Sequence, residues 1–543
     1  MNLKKLLAGV LASTVVLSML AGCGNTKNAS NSTSGDTANV SSGSSTVVTS
    51  YPIQGDNKLT FWLPIQPPAA KYISNYKDQE VFQEISKRTG VNAEFIHPAV
   101  GQEKEQLGVL VAAGNLPDII QIRGFYNGGS AAGVNEGIFA DLTELVPTYA
   151  KDYYNAIRQS DEAYRLATTN DNKITEFDLL KQSAPAFTRL NFREDILDEM
   201  GYDKMPVTIN DYEEIFEKMK AKGIAGFSPA KTGRVDQFMW IYGITEGFFT
   251  GADGKVKWGQ GEQAYRDYLT MMNKWWKAGY LYKDFASNMT INDLRALWTS
   301  KKVGMHQEPV DLAYSLAKAN KFSIAAANYP RLTDGQPIHF ETVSEDILPI
   351  TKPGETMATV ITTSCKKPEI AVQYINYYYT QEGADLCNWG IKDKSYTVET
   401  GGKKIFTDYM LKNDKIALGD VQTMLKIHMI AKLAEPDVEC NPNVVSDPKV
   451  LELRKMYSDD KTIDNSQVLP LFQLTPEDSA KRNKIMADID TYADEMTLKF
   501  IMGATPMSDF DKYISQLKAM NIDEAIKITQ EGYDTYKSKP GIK

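Results

Sequence analysis

Residues able to make or break bonds are few and poorly spaced in this 543-residue chain. Gly254-Lys255 does not close a phosphate loop, because Phe249 stands where the first glycine of G-x-x-x-x-G-K belongs. His306-Gln307-Glu308 has the residue types of H-E-x-x-H without its spacing. Gly129-Ser130-Ala131-Ala132-Gly133 is one residue too long for a G-x-S-x-G elbow. His97, His339 and His428 show no metal-ligand spacing, and neither a metal nor a cofactor is expected. Glycoside hydrolysis needs only two carboxyl groups, and 69 acids leave that chemistry open. Without a catalytic motif, the expectation is a protein that is not an enzyme.

The charge balance points the same way. Sixty Lys and Arg against 69 Asp and Glu give a net charge of −9, a poor basis for displacing counterions from nucleic acid. A chain that is 42% hydrophobic and 24% charged is ordinary globular material, too long for one core, so at least two lobes are expected. Four cysteines are too few for a disulfide framework, although a bridge between Cys365 and Cys387 is one pairing to consider.

The elements that must position any site begin near Leu59. Leu59–Leu63 reads as a strand ending at Pro64. Val81, Phe82 and Ile85 lie at helical spacing before Gly90, and Asn92–Ile96 reads as a second strand. Leu107–Ala113 reads as a helix closed by Gly114, and Leu116–Ile120 turns into a third strand. Strand–helix–strand–helix–strand predicts a parallel sheet whose ligands sit beyond the carboxyl ends of the strands. That draws attention to Trp62 and to Arg123, Phe125, Tyr126 and Asn127. Further on, Thr208 and Asp211 form a capping-box pattern before the stripe Tyr212, Ile215, Phe216, Met219. Tyr265 through Trp276 form another stripe, whose phase puts at least one of Trp275 and Trp276 in the core. Thr475-Pro476 opens a long helix carrying Ile485, Ile489, Tyr492, Met496 and Phe500 on one face.

The N-terminus reads as an export signal. Lys4 and Lys5 precede an uncharged run from Leu6 to Leu20, short for a membrane span. Leu20-Ala21-Gly22-Cys23 resembles the bacterial lipobox, which implies cleavage before Cys23 and a diacylglyceryl group on its sulfur. Losing residues 1–22 removes two lysines and no acid, leaving the remainder at about −11. Of the 27 residues from 24 to 50, 20 are Gly, Asn, Ser or Thr, a composition that makes a flexible tether. The expected location is therefore the extracellular face of the cytoplasmic membrane, held by lipid.

Several passages together carry a resemblance. Leu107–Ile120 with its Pro117-Asp118-Ile119, Gly137-Ile138-Phe139-Ala140-Asp141-Leu142, and Phe192–Leu197 through Pro206-Val207-Thr208 come in order. Lys301–Met305, Lys367–Ala371 and the stretch from Leu469 to Tyr536 follow. In this order they resemble bacterial extracellular solute-binding proteins of family 1, in the large LplA-type lipoprotein subgroup. The resemblance implies an α/β, two-lobe periplasmic-binding-protein-like (type II) fold with a hinge and an interlobe ligand cleft. It implies a monomer that hands an oligosaccharide to the transmembrane permease subunits of an ABC importer. The expected lobes are 51–170 with 300–365, and 171–299 with 366–543. Some members carry a calcium loop after the helix that here ends at Gly223, but Ile224-Ala225-Gly226-Phe227 lacks the carboxylate spacing.

A sugar cleft needs flat apolar faces with polar groups at their edges. The resemblance places Arg234, Asp236, Gln237 and Trp240 at the strand-to-helix turn of the second lobe, and Gln307 and Glu308 near the hinge. Trp389 follows the helix opened by Pro368. Trp62, Trp240 and Trp389 can each be a stacking platform or core. Arg123, Arg189 and Arg234 would suit an acidic sugar, because a guanidinium grips a carboxylate with two parallel hydrogen bonds. A peptide or another small solute is the alternative ligand, and an extracellular carbohydrate-active enzyme the more distant one.

Overall fold

The computed structural model describes residues 50–543 apart from 123, 183–187, 203, 231, 288, 342–346, 350–356, 428–429, 436–439, 446, 459, 471, 473 and 540–543. Cys23, where lipidation is expected, the expected tether, Arg123 and His428 lie outside the described residues. Two four-stranded sheets organise the rest. In the first, β1 (Asn57–Trp62) runs parallel to β2 (Val91–Ile96) and to β3 (Ile119–Gln121). The connecting helices are α1 (Glu80–Thr89) and α2 (Glu103–Ala113). Both helices stop where a glycine takes the left-handed conformation, Gly90 at φ 71° and Gly114 at φ 70°. β12 (Thr359–Ile361) closes the order β12-β3-β1-β2, antiparallel to β3.

The second sheet has the order β10-β5-β9-β6. Its strands are β5 (Thr188–Arg193), β6 (Ala225–Phe227), β9 (Val303–Pro309) and β10 (Ile324–Ala326). β6 is parallel to β9, whereas β5 is antiparallel to both β9 and β10. Two short strands, β4 (Leu180–Gln182) and β11 (Ile347–Pro349), pair antiparallel where the chain passes between the two sheets. A hairpin of β7 (Phe248–Thr250) and β8 (Val256–Trp258) flanks the second sheet's core.

This pairing redraws the expected lobes. Residues 303–326 belong to the second sheet, not the first, because Val303 and Met305 register against Ala225 and Phe227. Residues 368–389 belong with the first, because Val372, Ile375, Tyr377 and Leu386 share a core with Phe61 and Ile85. Two strands of one sheet can lie a hundred residues apart, so linear order does not reveal which lobe a segment joins.

The helices that matter for the site are α3 (Gly129–Asn135), α4 (Asp161–Ala167), α5 (Ile209–Ala221), α6 (Asp236–Trp240) and α7 (Gln263–Ala278). The C-terminal third adds α8 (Pro476–Met502), α9 (Phe510–Ala519) and α10 (Ile522–Ser538). The capping box at Thr208 forms, with Asp211 Oδ2 accepting from the Thr208 backbone N–H at 2.7 Å. In the second core Trp275 is fully buried, while Trp276 is only partly so. The Trp275 ring meets Phe216, Phe227 and Phe238 edge-on at 5.4, 6.0 and 5.0 Å, and its Nε1 donates to Glu213 at 2.9 Å. The helix α8 packs along α7, and its residues Met486, Ile489, Ala493 and Phe500 join the same core.

The far end of α10 returns to the first lobe. Lys539 is buried there, and its Nζ donates to the carbonyls of Arg165 at 3.0 Å and Thr168 at 2.5 Å. Cys365, Cys387 and Cys440 are free buried thiols, so the Cys365–Cys387 bridge is not formed. Burial pushes Cys365 and Cys387 up to about 12, which makes them poor nucleophiles.

Two outcomes follow from this packing. Trp275→Ala should cost about 3–5 kcal/mol in urea unfolding, from lost burial and the cavity left behind; a loss under ~1 kcal/mol contradicts the packing described. Burial lowers the Lys539 ammonium to about 8, with Asp171 opposing and Arg165 adding. The docked state therefore disfavours the charged form, a penalty complete below pH 8 and relieved toward the ordinary lysine value near about 10.4. Hydrogen-exchange protection of the 535–539 amides, corrected for base catalysis, should rise across that window. A flat or falling profile rejects the docking.

Candidate functional site

Strand direction decides what meets what. β6, β9 and β10 all end at one edge of the second sheet, and antiparallel β5 begins there. Arg189, Gln307, Glu308, the 228–237 turn and Tyr329 are thereby brought to that edge. Four of the anticipated residues fall into two hydrogen-bonded sets on and beside α6. Gln307 is exposed and its Nε2 donates to Gln237 Oε1 at 2.9 Å. Trp240 Nε1 donates to Thr245 Oγ1 at 3.1 Å, and that hydroxyl donates to Asp236 Oδ1 at 3.1 Å. Asp236 also accepts from the Glu246 backbone N–H at 3.0 Å. Burial pushes its carboxyl up, and that backbone hydrogen bond pulls back. Trp240 is half-buried, edge-on to Tyr329 at 5.0 Å and nearly parallel to Phe340 at 6.5 Å. Arg189 stands 4.0 Å from the centre of the Tyr329 ring and also donates to its hydroxyl.

The other charged candidates are neutralised from within. Arg234 Nη2 meets Glu246 at 2.7 Å and Asp494 at 2.5 Å. Arg189 is buried beside Glu341 at 3.5 Å. Arg295 grips Glu308 with two hydrogen bonds of 2.6 and 3.1 Å, and His306 adds a third contact at 3.3 Å. Burial works against the Glu308 charge, but these hydrogen bonds outweigh it and hold the carboxyl below its usual range.

At the first sheet, the ends of β1, β2 and β3 also share an edge. Trp62 is there but only 1% exposed, packed with Ile120, Ile122, Phe139 and Val360 and edge-on to Phe125 at 6.1 Å. It is core, and so is Trp389, 3% exposed among Tyr396 and Phe406 with Nε1 donating to Glu435 at 2.6 Å. Phe125 and Tyr126 are half-buried and Asn127 is exposed. Tyr126 packs on Phe139 at 4.8 Å and donates to Glu136. His97 is fixed in its neutral form, Nδ1 donating to Leu63 O at 2.7 Å while Nε2 accepts from the Tyr76 N–H at 3.2 Å.

Two features carry no sequence motif. Glu176 and Asp178 flank buried Phe177, and Tyr153 donates to Asp178 at 2.7 Å. Burial raises both acids, and the Glu176 charge raises Asp178 further, so the pair favours holding a proton. A recess of about 210 Å³, partly open to solvent, lies between α3, the 169–175 loop and Leu474-Thr475. Asn170 Oδ1 lines that loop, buried and without a hydrogen-bond partner among the described residues. Among the described residues no three His, Cys, Asp or Glu side chains converge to hold a metal, and no helix is long and apolar enough to cross a membrane.

Two sheet-based lobes joined by crossing strands have the two-lobe, type II fold of solute-binding proteins. The family model for bacterial extracellular solute-binding proteins matches residues 70–385, and the chain belongs to that family. A curated relative, the polygalacturonan/rhamnogalacturonan-binding protein YtcQ of Bacillus subtilis (strain 168), is 23% identical over 495 residues, 87% of this chain and 90% of YtcQ. Among solved structures, an extracellular solute-binding protein from Bifidobacterium longum subsp. infantis superposes with a TM-score of 0.72 at 16% identity, covering 89% of this chain and 99% of that one. The alginate-binding protein AlgQ2 without calcium ion gives 0.66 at 20% identity, with the same coverage.

Proposed function

We propose that this chain is the lipid-anchored, extracytoplasmic binding component of an ABC importer and that it captures an oligosaccharide between its lobes. The observation that carries the reading is the presence on and beside α6 of two hydrogen-bonded sets, Gln307 with Gln237 and Trp240 with Asp236 through Thr245, at the strand-end edge of the second sheet. An amide pair beside a half-buried indole offers the donors, acceptors and flat face that a sugar ring needs. YtcQ and AlgQ2 are named for the polysaccharides they bind, which supports the same class.

The mechanism is a population shift. A sugar seated on one lobe gains its remaining contacts only when the other lobe closes, so ligand favours the closed form by that difference. The closed surface then meets the permease. The chain acts as a monomer, and its diacylglyceryl group on Cys23 keeps it beside the membrane.

A thermal-shift screen of the protein against oligosaccharide and peptide sets tests the ligand class. A ligand at 100 times its dissociation constant adds about 2.7 kcal/mol, a visible rise in Tm. Gln307→Ala should lose most of that rise while keeping the unliganded Tm close to wild type, and Trp240→Ala should lose it together with a lower unliganded Tm, because its ring packs on Tyr329 and Phe340. A rise with peptides alone overturns the sugar assignment. Cys23→Ala should release the protein from the membrane fraction; retention there overturns the anchor.

A further inference from the structure

We propose that a proton shared by the Glu176 and Asp178 carboxyl groups fastens the first-lobe end of the crossing between the lobes, so that the surrounding pH sets how freely the lobes move. Phe177, between the two acids, exchanges backbone hydrogen bonds of 2.8 and 3.0 Å with Thr359 of β12. Thr359 in turn registers against Gln121, the last residue of β3. The segment around Phe177 is thereby added to the edge of the first sheet, at the end where β3 stops. Leu180 then opens β4, which pairs with β11, and β5 of the second lobe begins at Thr188. Glu176 and Asp178 therefore stand where the chain leaves the first sheet for the second.

Residues two apart on an extended segment share one side, and here the two carboxyl groups hydrogen-bond each other. An ionised carboxyl only accepts, so that contact needs a proton between them. The surroundings supply donors. Tyr153 Oη donates to Asp178 Oδ2 at 2.7 Å and also reaches the Glu176 carbonyl at 3.1 Å. Tyr379 donates to the Asp178 carbonyl. The Ser130 hydroxyl, on α3, hydrogen-bonds the Glu176 carboxyl and lies 2.7 Å from Thr175 Oγ1. The two tyrosines are the titratable groups that face the pair, one from the helix Lys151–Ile157 and one from the Tyr377–Tyr379 turn. Burial holds both hydroxyls well above the usual phenol range, so they stay protonated.

A missing cation sets this pair apart from the acids of the second lobe. Glu308 is gripped by Arg295, and Glu246 and Asp494 by Arg234. Among the described residues no Lys, Arg or His acts on Glu176 or Asp178. Loss of the shared proton leaves two negative charges in contact, shielded from water and without a counterion. Separation relieves that repulsion, and it draws Asp178 from Tyr153 and slackens the entry to β4. The other connections between the lobes do not depend on an acid pair. Helix α8 runs from Thr475, beside the 169–175 loop, to Asp494 against Arg234, and Lys539 docks on two carbonyls. Both acids keep their protons to higher pH in the fold than in the unfolded chain. The folded state thus holds the extra proton, and the contribution of the pair to stability falls as pH rises from the ordinary carboxylate range toward the raised one.

The test is hydrogen exchange of the 174–182 amides together with small-angle scattering of the full chain, both from about pH 5 to about pH 9.5. In the wild type, protection of these amides, corrected for base catalysis, should fall by up to about tenfold per pH unit within the window. The radius of gyration should change over the same window. Glu176→Gln replaces the shared proton with an amide N–H that donates to Asp178 at every pH, and Asp178→Asn does the converse toward Glu176. Either variant should flatten both profiles up to pH 8, above which the docking of Lys539 adds a change common to all three proteins. Tm values at about pH 5 close to wild type show that the variants fold. A flat wild-type profile overturns the proposal, and so does an unaltered pH response in both variants. Loosening of 174–182 with no change in scattering overturns the link to lobe motion.

Discussion

The antiparallel pairing of β5 with β9 is the constraint on which the rest depends. Five register pairs, from Thr188↔Pro309 to Phe192↔Met305, tie the strand that enters the second lobe to the strand at that lobe's centre. Because β9 is parallel to β6, the entry point of β5 must coincide with the exit points of β6 and β9. Those exits are where side chains can leave the ladder and face outward. Asn191 reinforces the pairing, its Nδ2 donating to Glu308 O at 2.9 Å. A slip of one residue would exchange the faces of Gln307 and Glu308, burying the exposed amide and exposing the carboxylate that Arg295 now holds.

The first sheet was legible in the sequence because its signals are local. β1, α1, β2, α2 and β3 follow one another within 65 residues, and each helix is closed by a glycine that alone tolerates the required backbone. The second sheet was not legible in the same way. β5 and β9 are separated by 115 residues at Asn191 and His306, and nothing in either segment names its partner. The same reason misplaced residues 368–389, whose apolar stripe fits a core without saying which. Hydrophobic period reports that a face is buried; it does not report against what.

The site was legible in part for a related reason. Asp236, Gln237, Trp240 and Gln307 were reached through order and resemblance, and the structure pairs Gln307 with Gln237 and Trp240 with Asp236 through Thr245. Trp62 and Trp389 have the right residue type beside the right turns, but their faces are packed on all sides. Arg234 and Glu308 have the right charge, but Asp494 and Arg295 spend it inside the fold. Whether a charge is free depends on residues hundreds of positions away, as Arg234 and Asp494 show. Glu176 and Asp178 carry no motif because a shared proton arises from their burial and proximity.

Rigidity and motion are divided accordingly. The aromatic chain Arg189–Tyr329–Trp240–Phe340–Phe249 links the sheet edge to the hairpin through contacts of 4.0, 5.0, 6.5 and 5.6 Å. Packed rings resist displacement, so this face of the second lobe is preorganised, and under the proposed reading ordering it on ligand capture costs little. Connections between the lobes are thinner: the short pair β4–β11, the bridge of α8, and the Lys539 ammonium held by two carbonyls. A hinge needs this asymmetry. Contacts within each lobe must be strong enough that closure moves lobes as bodies, and contacts between them weak enough that ligand decides the position.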